Sequence, residues 1–133
     1  MNTNLKGIYH KVYLCVVGGG LAGMCAAVAA ARHGIKVALM HDRPVYGGNA
    51  SSEIIMWVCG AHGKNNRETG IIEEIALETL YRNPYRRYPM WDAILFELIN
   101  NEKNITPILN CSCNDIEMDG SKIKKVIGWQ TTT

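Results

Sequence analysis

The chain has 133 residues, of which 47% are hydrophobic and 20% are charged, as in an ordinary soluble globular domain. Its 14 Lys and Arg against 12 Asp and Glu leave a formal charge of only +2. This balance excludes nucleic-acid binding by bulk charge and a highly charged disordered chain. The five cysteines contain no Cys-x-x-Cys spacing. They therefore predict neither a metal site nor a disulfide framework, and they fit a reducing, cytoplasmic compartment.

An uncharged run at residues 12–31 has the length of a membrane span or a secretory signal. Four glycines interrupt this run, and each costs about 1 kcal/mol relative to Ala inside a helix. The residues before the glycines include several valines, whereas those after them are rich in alanine. We therefore predict a strand, a turn and a helix here, and no membrane association.

The first predicted elements form a βαβ unit. Val12–Val17 is a continuous apolar run bounded by glycine, which is typical of a central parallel strand buried on both faces. Leu21–His33 contains six alanines, which favour a helix that lies close to a sheet, and Gly34 ends it. Ile35–Met40 is a second apolar strand, so we expect a right-handed crossover between the two strands.

The remaining elements follow a long polar loop, residues 41–68, of a length that usually carries function. A helix at Ile71–Arg82 would present an apolar face made of Ile72, Ile75, Ala76 and Leu80. After it we predict a helix at Trp91–Glu102, a strand at Ile105–Asn110, and a hairpin of Asp115–Met118 with Lys122–Trp129. The fold class is therefore α/β, with a mostly parallel sheet, flanking helices and the start of an antiparallel meander.

The glycines between the first strand and the first helix have the spacing G-x-G-x-x-G. The motif consists of Gly18, Gly19, Gly20, Leu21, Ala22 and Gly23. Within a βαβ unit this pattern predicts a dinucleotide-binding loop. Gly18 would permit the tight turn, Gly20 would leave room for a pyrophosphate, and Gly23 would let the helix pack on the strand. The phosphates would then face free N–H groups at the positive end of the helix.

The end of the second strand is where an acidic side chain usually binds the adenosine ribose, about 20 residues after the glycines. His41 stands at the usual position of that acid, and Asp42 follows it. Either side chain could hydrogen-bond a ribose hydroxyl, and Arg43 leaves a phosphate-bearing ribose possible. The alternative is that these three are ordinary polar residues of a loop.

A second glycine pair, Gly47-Gly48, follows with Asn49, Ser51 and Ser52. Its backbone could approach the pyrophosphate from the other side, and the serine hydroxyls could donate hydrogen bonds to it. The spacing resembles the second FAD signature of the large flavoprotein superfamily, an acid followed after five residues by Gly-Gly-Arg-x-x-Ser/Thr. This chain departs from that signature in having His41 instead of Glu and Asn49 instead of Arg.

Further segments resemble a group of bacterial FAD-dependent oxidoreductases. They are residues 57–63 (Trp-Val-Cys-Gly-Ala-His-Gly), residues 67–74 (Arg-Glu-Thr-Gly-Ile-Ile-Glu-Glu) and Trp91-Asp92. The resemblance implies a Rossmann-like FAD/NAD(P)-binding domain, FAD as cofactor and a redox reaction on a small-molecule substrate. It also implies that residues 1–133 are the incomplete, inactive N-terminal part of a longer enzyme, whose remaining polypeptide binds the substrate. An unpaired strand edge in such a fragment would favour a homo-oligomer.

Glu53, Cys59 and His62 are the candidates for a position near the flavin ring. Cys59 and His62 lie in a glycine-flanked loop, which could suit a metal, a covalent flavin link or a proton relay. A buried Cys and a loop His are the simpler interpretation, and two ligands make no zinc site. Two alternatives to a flavoenzyme stay open: a nicotinamide-dependent Rossmann dehydrogenase, and a truncated, non-catalytic nucleotide-binding fragment.

Overall fold

A computed structural model describes residues 7–61, 63–65 and 68–131 of the chain. Its elements are β1 (Leu14–Val17), α1 (Leu21–Arg32), β2 (Val37–Met40), a 3-10 turn (Gly48–Ala50), α2 (Ile71–Arg82), α3 (Tyr88–Asn100), β3 (Ile105–Ile108), β4 (Cys111–Asp119) and β5 (Lys122–Gln130). Three parallel strands, flanking helices and an antiparallel pair confirm the α/β class. Each of the predicted helices and strands has a counterpart, although several ends differ by a few residues.

The parallel sheet has the strand order β1-β2-β3 within the described residues. Its register pairs Leu14 with Val37 and Val37 with Ile105. All four residues of β2 are buried, whereas Val17 of β1 is 54% exposed. The prediction that Val12–Val17 is a central strand buried on both faces is therefore wrong for the described residues, because β1 pairs on one side only. The strand is also shorter than predicted and begins at Leu14.

The core lies between the parallel sheet and the helices. Met24 and Val28 of α1 meet Leu39 of β2, and Leu95 and Ile99 of α3 join the same cluster. These five side chains are fully buried, and each such burial stabilises the fold by about 1.5–3 kcal/mol. The cluster fixes the position of the first turn of α1 relative to the carboxyl ends of β1 and β2.

Helix α2 has the predicted bounds, but its predicted apolar face is only partly buried. Ile75 is 1% exposed, whereas Leu80 is 69% exposed. Ile72, Ala76 and Leu80 line an open cavity of about 490 Å³, and of these three Ile72 also packs against the core. The apolar spacing therefore predicted the helix correctly, but it did not predict what covers each residue.

The hairpin of β4 and β5 is longer than predicted and turns at Gly120, which has φ +60°. Cys111 is buried and Cys113 is exposed, and all five cysteines are free thiols. Among the described residues, no helix has the length and apolar character needed to cross a bilayer.

Candidate functional site

The first of two glycine bends leads from β1 into α1. The N–H of Gly18 donates a hydrogen bond to the carbonyl of Met40 at 2.8 Å, and Gly18 has φ +113°. This left-handed conformation strains any residue with a side chain. A Cβ built on Gly18 or Gly20 meets no atom within 4 Å. The bend therefore presents bare backbone to open space at the N-terminus of α1, where the first N–H groups have no partner within the helix.

The second glycine bend, Gly47-Gly48, lies directly against the first. Both residues have positive φ, +109° and +59°. The N–H of Gly47 donates to the carbonyl of Gly19 at 2.9 Å, and Gly20 and Gly47 form an isolated parallel bridge. A Cβ on Gly48 would lie 3.1 Å from the Cα of Gly20. The two glycine bends, far apart in sequence, thus form one surface, called here the glycine cradle (residues 18–23 and 47–48).

The two serines after the second bend differ in their surroundings. Ser51 is fully buried, and its hydroxyl donates to the carbonyl of Gly48 at 2.7 Å. The same hydroxyl accepts a bond from the N–H of Glu53 at 3.3 Å. Ser51 therefore holds the loop together internally. Ser52 is partly exposed, and its N–H donates to Oδ1 of Asp92 at 3.0 Å, while Asn49 is exposed.

His41 lies beneath the glycine cradle. It is 6% exposed, and its Nδ1 accepts a hydrogen bond from the N–H of Gly19 at 3.0 Å. This bond requires an unprotonated Nδ1, so the imidazole is neutral with its proton on Nε2. Burial lowers the pKa of His41, and the nearby Asp42 carboxylate opposes that shift only in part. The histidine expected to contact a ribose is thus engaged by the backbone of the first glycine bend.

Tyr46 completes the layer beneath the glycine cradle. It is 1% exposed, and its ring stacks on that of His41 with centroids 6.0 Å apart and planes 11° apart. A Cβ on Gly19 would lie 2.7 Å from both rings. Burial raises the pKa of Tyr46 to about 12. Among the described residues, the Tyr46 hydroxyl has no hydrogen-bond partner, whereas the backbone of Val45 interacts with the His41 ring and favours its protonated form.

Asp42 and Arg43 lie at the outer rim of the site. The Asp42 side chain is 62% exposed, and its Oδ1 is 3.4 Å from Nδ1 of His41. Arg43 pairs with Glu53, with 3.4 Å between Nη1 and Oε2. The carboxylate free to meet a ligand is therefore that of Asp42, while Arg43 is partly occupied by a neighbour in the same loop.

The three candidates for a position near a flavin ring are not brought together. Glu53 is held by Arg43, and Cys59 is exposed with its Sγ 3.8 Å from the carbonyl of Trp57. His62 lies outside the described residues, as does Arg67 of the resembling segments. In the ranges that the structure describes, no group of three His, Cys, Asp or Glu side chains is placed to hold a metal ion.

The arrangement is suited to binding an anion. Partial positive charge at the N-terminus of α1 and bare glycine backbone from two loops meet at one point, which favours a phosphate group. Sequence reasoning missed Tyr46 and Asp92 as residues that support this surface. Tyr46 immediately precedes Gly47, and Asp92 belongs to one of the resembling segments. Their positions therefore indicated that they lie near the site, but not what either side chain does there.

Comparisons with known proteins identify a family for this chain and a similar fold. Residues 14–133 match the model of a family described as FAD dependent oxidoreductase. A similar fold occurs in the crystal structure of pqsL, a probable FAD-dependent monooxygenase from Pseudomonas aeruginosa, with a TM-score of 0.52 and 12% identity. That match covers 88% of this chain but only 38% of the pqsL chain. No match was found among the curated proteins.

Proposed function

From the premise that the chain belongs to the FAD dependent oxidoreductase family, we propose that its glycine cradle binds the ADP half of FAD. The contact between the two glycine bends, seen in the 2.9 Å bond from Gly47 N–H to Gly19 O, carries the proposal. It makes one anion-binding surface from two loops, each of which alone would be an ordinary turn.

The residues present fit a bound dinucleotide. Gly18 and Gly20 have no side chains, and the places where a Cβ would stand face open space. A pyrophosphate can therefore approach the backbone there. The N-terminus of α1 supplies the complementary partial charge. Gly47, Gly48 and Ser52 would close the pyrophosphate from the other side, and the exposed carboxylate of Asp42 is the better placed acceptor for a ribose hydroxyl.

The wider activity is proposed on the same basis. The isoalloxazine of FAD supplies hydride or electron transfer, while a protein orients the cofactor and excludes competing reactions. This chain's part is to hold the adenine end in place. Because the chain spans 38% of the pqsL chain, we propose that a small-molecule substrate is bound by residues outside it.

Titration of the protein with FAD tests the proposal. We expect binding of one FAD per chain, measured by calorimetry or by flavin fluorescence, and competition by ADP. Gly20→Ala has an allowed conformation, with φ −67° and ψ 171°, and therefore leaves the fold intact. Its methyl group would occupy the space of the pyrophosphate, so FAD binding should weaken by about tenfold or more, equivalent to about 1.4 kcal/mol.

Gly34→Ala is the matched control at the opposite end of α1. Gly34 has φ +84°, so this alanine strains the backbone and lowers the free energy of unfolding by about 1 kcal/mol, but FAD affinity should not change. Equal FAD affinity in Gly20→Ala and the unaltered protein would place the cofactor elsewhere. Preference for NAD over FAD would indicate a nicotinamide-dependent dehydrogenase, and the absence of any nucleotide binding would indicate a non-catalytic fragment.

A further inference from the structure

Among the described residues, His41 is one of three buried polar side chains, with Ser51 and Asn83, and its ring is directed at the glycine cradle. Its Nδ1 accepts the N–H of Gly19 in a bond whose partners are 22 residues apart in sequence. The same Gly19 contributes its carbonyl to the N–H of Gly47. One glycine therefore connects the imidazole to both glycine bends.

The contact between ring and loop is also steric. A Cβ on Gly19 would lie 2.7 Å from the rings of His41 and Tyr46, so the bare Cα of Gly19 rests on a floor made by these two rings. Main-chain bonds hold His41 from below, since its N–H donates to Ile108 and its carbonyl accepts from Cys111, both at 2.8 Å. The imidazole is thus held in place by the sheet, and its contacts with Gly19 hold the first glycine bend in a fixed position relative to the sheet.

We propose that His41 is a positioning residue for the cofactor site. Its neutral imidazole holds the Gly19 peptide, and through it both glycine bends, in the arrangement that accepts a diphosphate. His41 acts through Gly19 and makes no contact of its own with the ribose. This inference rests on the proposed function, because it concerns the same glycine cradle.

Protonation of His41 would abolish this role. A protonated Nδ1 is a donor and no longer accepts the Gly19 N–H, so two N–H groups would face each other. The charged groups that act on the ring are Asp42 and Glu53, which favour the proton, and Arg43, which opposes it. Tyr46 stacks on the ring without adding charge. We therefore expect FAD affinity to fall as the pH decreases.

Two substitutions of His41 separate positioning from mere packing. In His41→Asn the amide oxygen stands near the place of Nδ1 and can still accept the Gly19 N–H, whereas His41→Leu fills the space without an acceptor. At pH 7.5 we expect His41→Asn to bind FAD within about threefold of the unaltered protein. His41→Leu leaves a buried N–H unpaired and should bind about tenfold or more weakly.

The pH profile of FAD binding gives a readout that packing alone does not move. Affinity of the unaltered protein should fall by up to about tenfold per pH unit below the pKa of His41, and His41→Asn should lack this component. Equal affinities in all three proteins, or a profile unchanged in His41→Asn, would overturn the inference. Failure of the unaltered protein to bind FAD would instead overturn the proposed function.

Nitrogen-15 NMR of the imidazole tests the inference without a cofactor. In the cofactor-free protein at neutral pH, Nδ1 should be unprotonated with Nε2 carrying the proton, and addition of FAD should leave this tautomer in place. A protonated Nδ1, or a switch of tautomer when FAD binds, would show that the ring does not hold the Gly19 N–H and would overturn the inference even if His41→Leu fails to fold.

Discussion

A Cβ at Gly23 would lie 1.9 Å from the carbonyl oxygen of Gly18. The first turn of α1 thus packs directly on the backbone of the glycine bend that precedes it. We expect Gly23→Ala to lower the free energy of unfolding by about 1–3 kcal/mol or more, because the methyl group must displace backbone. Urea unfolding measures this change. Gly20→Ala, which meets no atom within 4 Å, serves as the comparison, and equal stability of the two variants would contradict the packing.

Asp92 should control the second glycine bend. Its Oδ1 accepts the N–H of Ser52 at 3.0 Å, which joins α3 to the loop that follows Gly48. In Asp92→Ala this N–H loses its partner, a cost of about 1–3 kcal/mol, so we expect a lower melting temperature and weaker FAD binding. Asp92→Asn keeps an acceptor oxygen and should behave nearly as the unaltered protein. A defect as large in Asp92→Asn as in Asp92→Ala would rule out the hydrogen bond as the cause.

The Tyr46 hydroxyl is buried without a hydrogen-bond partner among the described residues. Removing an unpaired buried polar group costs little, so Tyr46→Phe should change the free energy of unfolding by less than about 1 kcal/mol. Tyr46→Ala removes the ring on which Gly19 rests and should cost about 3–5 kcal/mol. Chemical denaturation of both variants checks this contrast. A large loss in Tyr46→Phe would show that the hydroxyl forms a bond.

The ion pairs of Arg32 should stabilise the protein in a pH-dependent way. Its guanidinium binds Glu74 through two bonds of 2.7 and 2.8 Å, and it binds Glu102 at 2.6 Å. Hydrogen bonding to Arg32 lowers the pKa of Glu74. The contribution of the Arg32–Glu74 pair to the free energy of unfolding is therefore complete above the ordinary pKa of Glu, about 4.3. It is lost as the pH falls through the lower pKa that Glu74 has in the folded protein.

Replacement of Arg32 measures that contribution. The side chains of Arg32 and Glu74 are both about two-fifths exposed, so solvent screening limits the effect. Arg32→Gln should therefore lower the free energy of unfolding by about 1 kcal/mol or less at pH 7. The difference should shrink as the pH is lowered from the ordinary pKa of Glu through the lower pKa of Glu74, as followed by urea unfolding across a pH series. FAD affinity should not respond, since Arg32 lies at the end of α1 away from the glycine cradle. A difference that stays constant with pH would indicate lost packing instead of lost charge pairing.

Local patterns account for much of what could be predicted. The helix at Ile71–Arg82 was predicted at its observed bounds, because its signals, apolar spacing and the following Asn-Pro, lie within one short segment. The Gly18–Gly23 bend was predicted for the same reason. Its glycines are required by a turn and a close helix contact that neighbouring residues create, as the 1.9 Å approach at Gly23 demonstrates.

Contacts between distant segments could not be predicted in this way. Ser51 and His41 were expected to face a cofactor, but Ser51 bonds Gly48 and His41 bonds Gly19. Motif spacing predicts that a residue lies near a site. It does not predict which atoms of that residue are already hydrogen-bonded to the neighbouring backbone. The exposure of Val17 likewise depends on which strands pair with β1, and an apolar run looks the same in a central strand and at an edge.

The sequence by itself determined the order of elements and the two glycine bends, since short-range sterics and hydrogen bonding within each segment specify them. Its resemblance to FAD-dependent oxidoreductases, and not local sterics, indicated the class of cofactor. Only the tertiary structure decided that the bends touch through Gly19 and Gly47, and that His41 and Tyr46 form the floor beneath them. Those contacts exist because parallel pairing of β1 with β2 brings their carboxyl ends to one edge, a consequence of register that no local pattern contains.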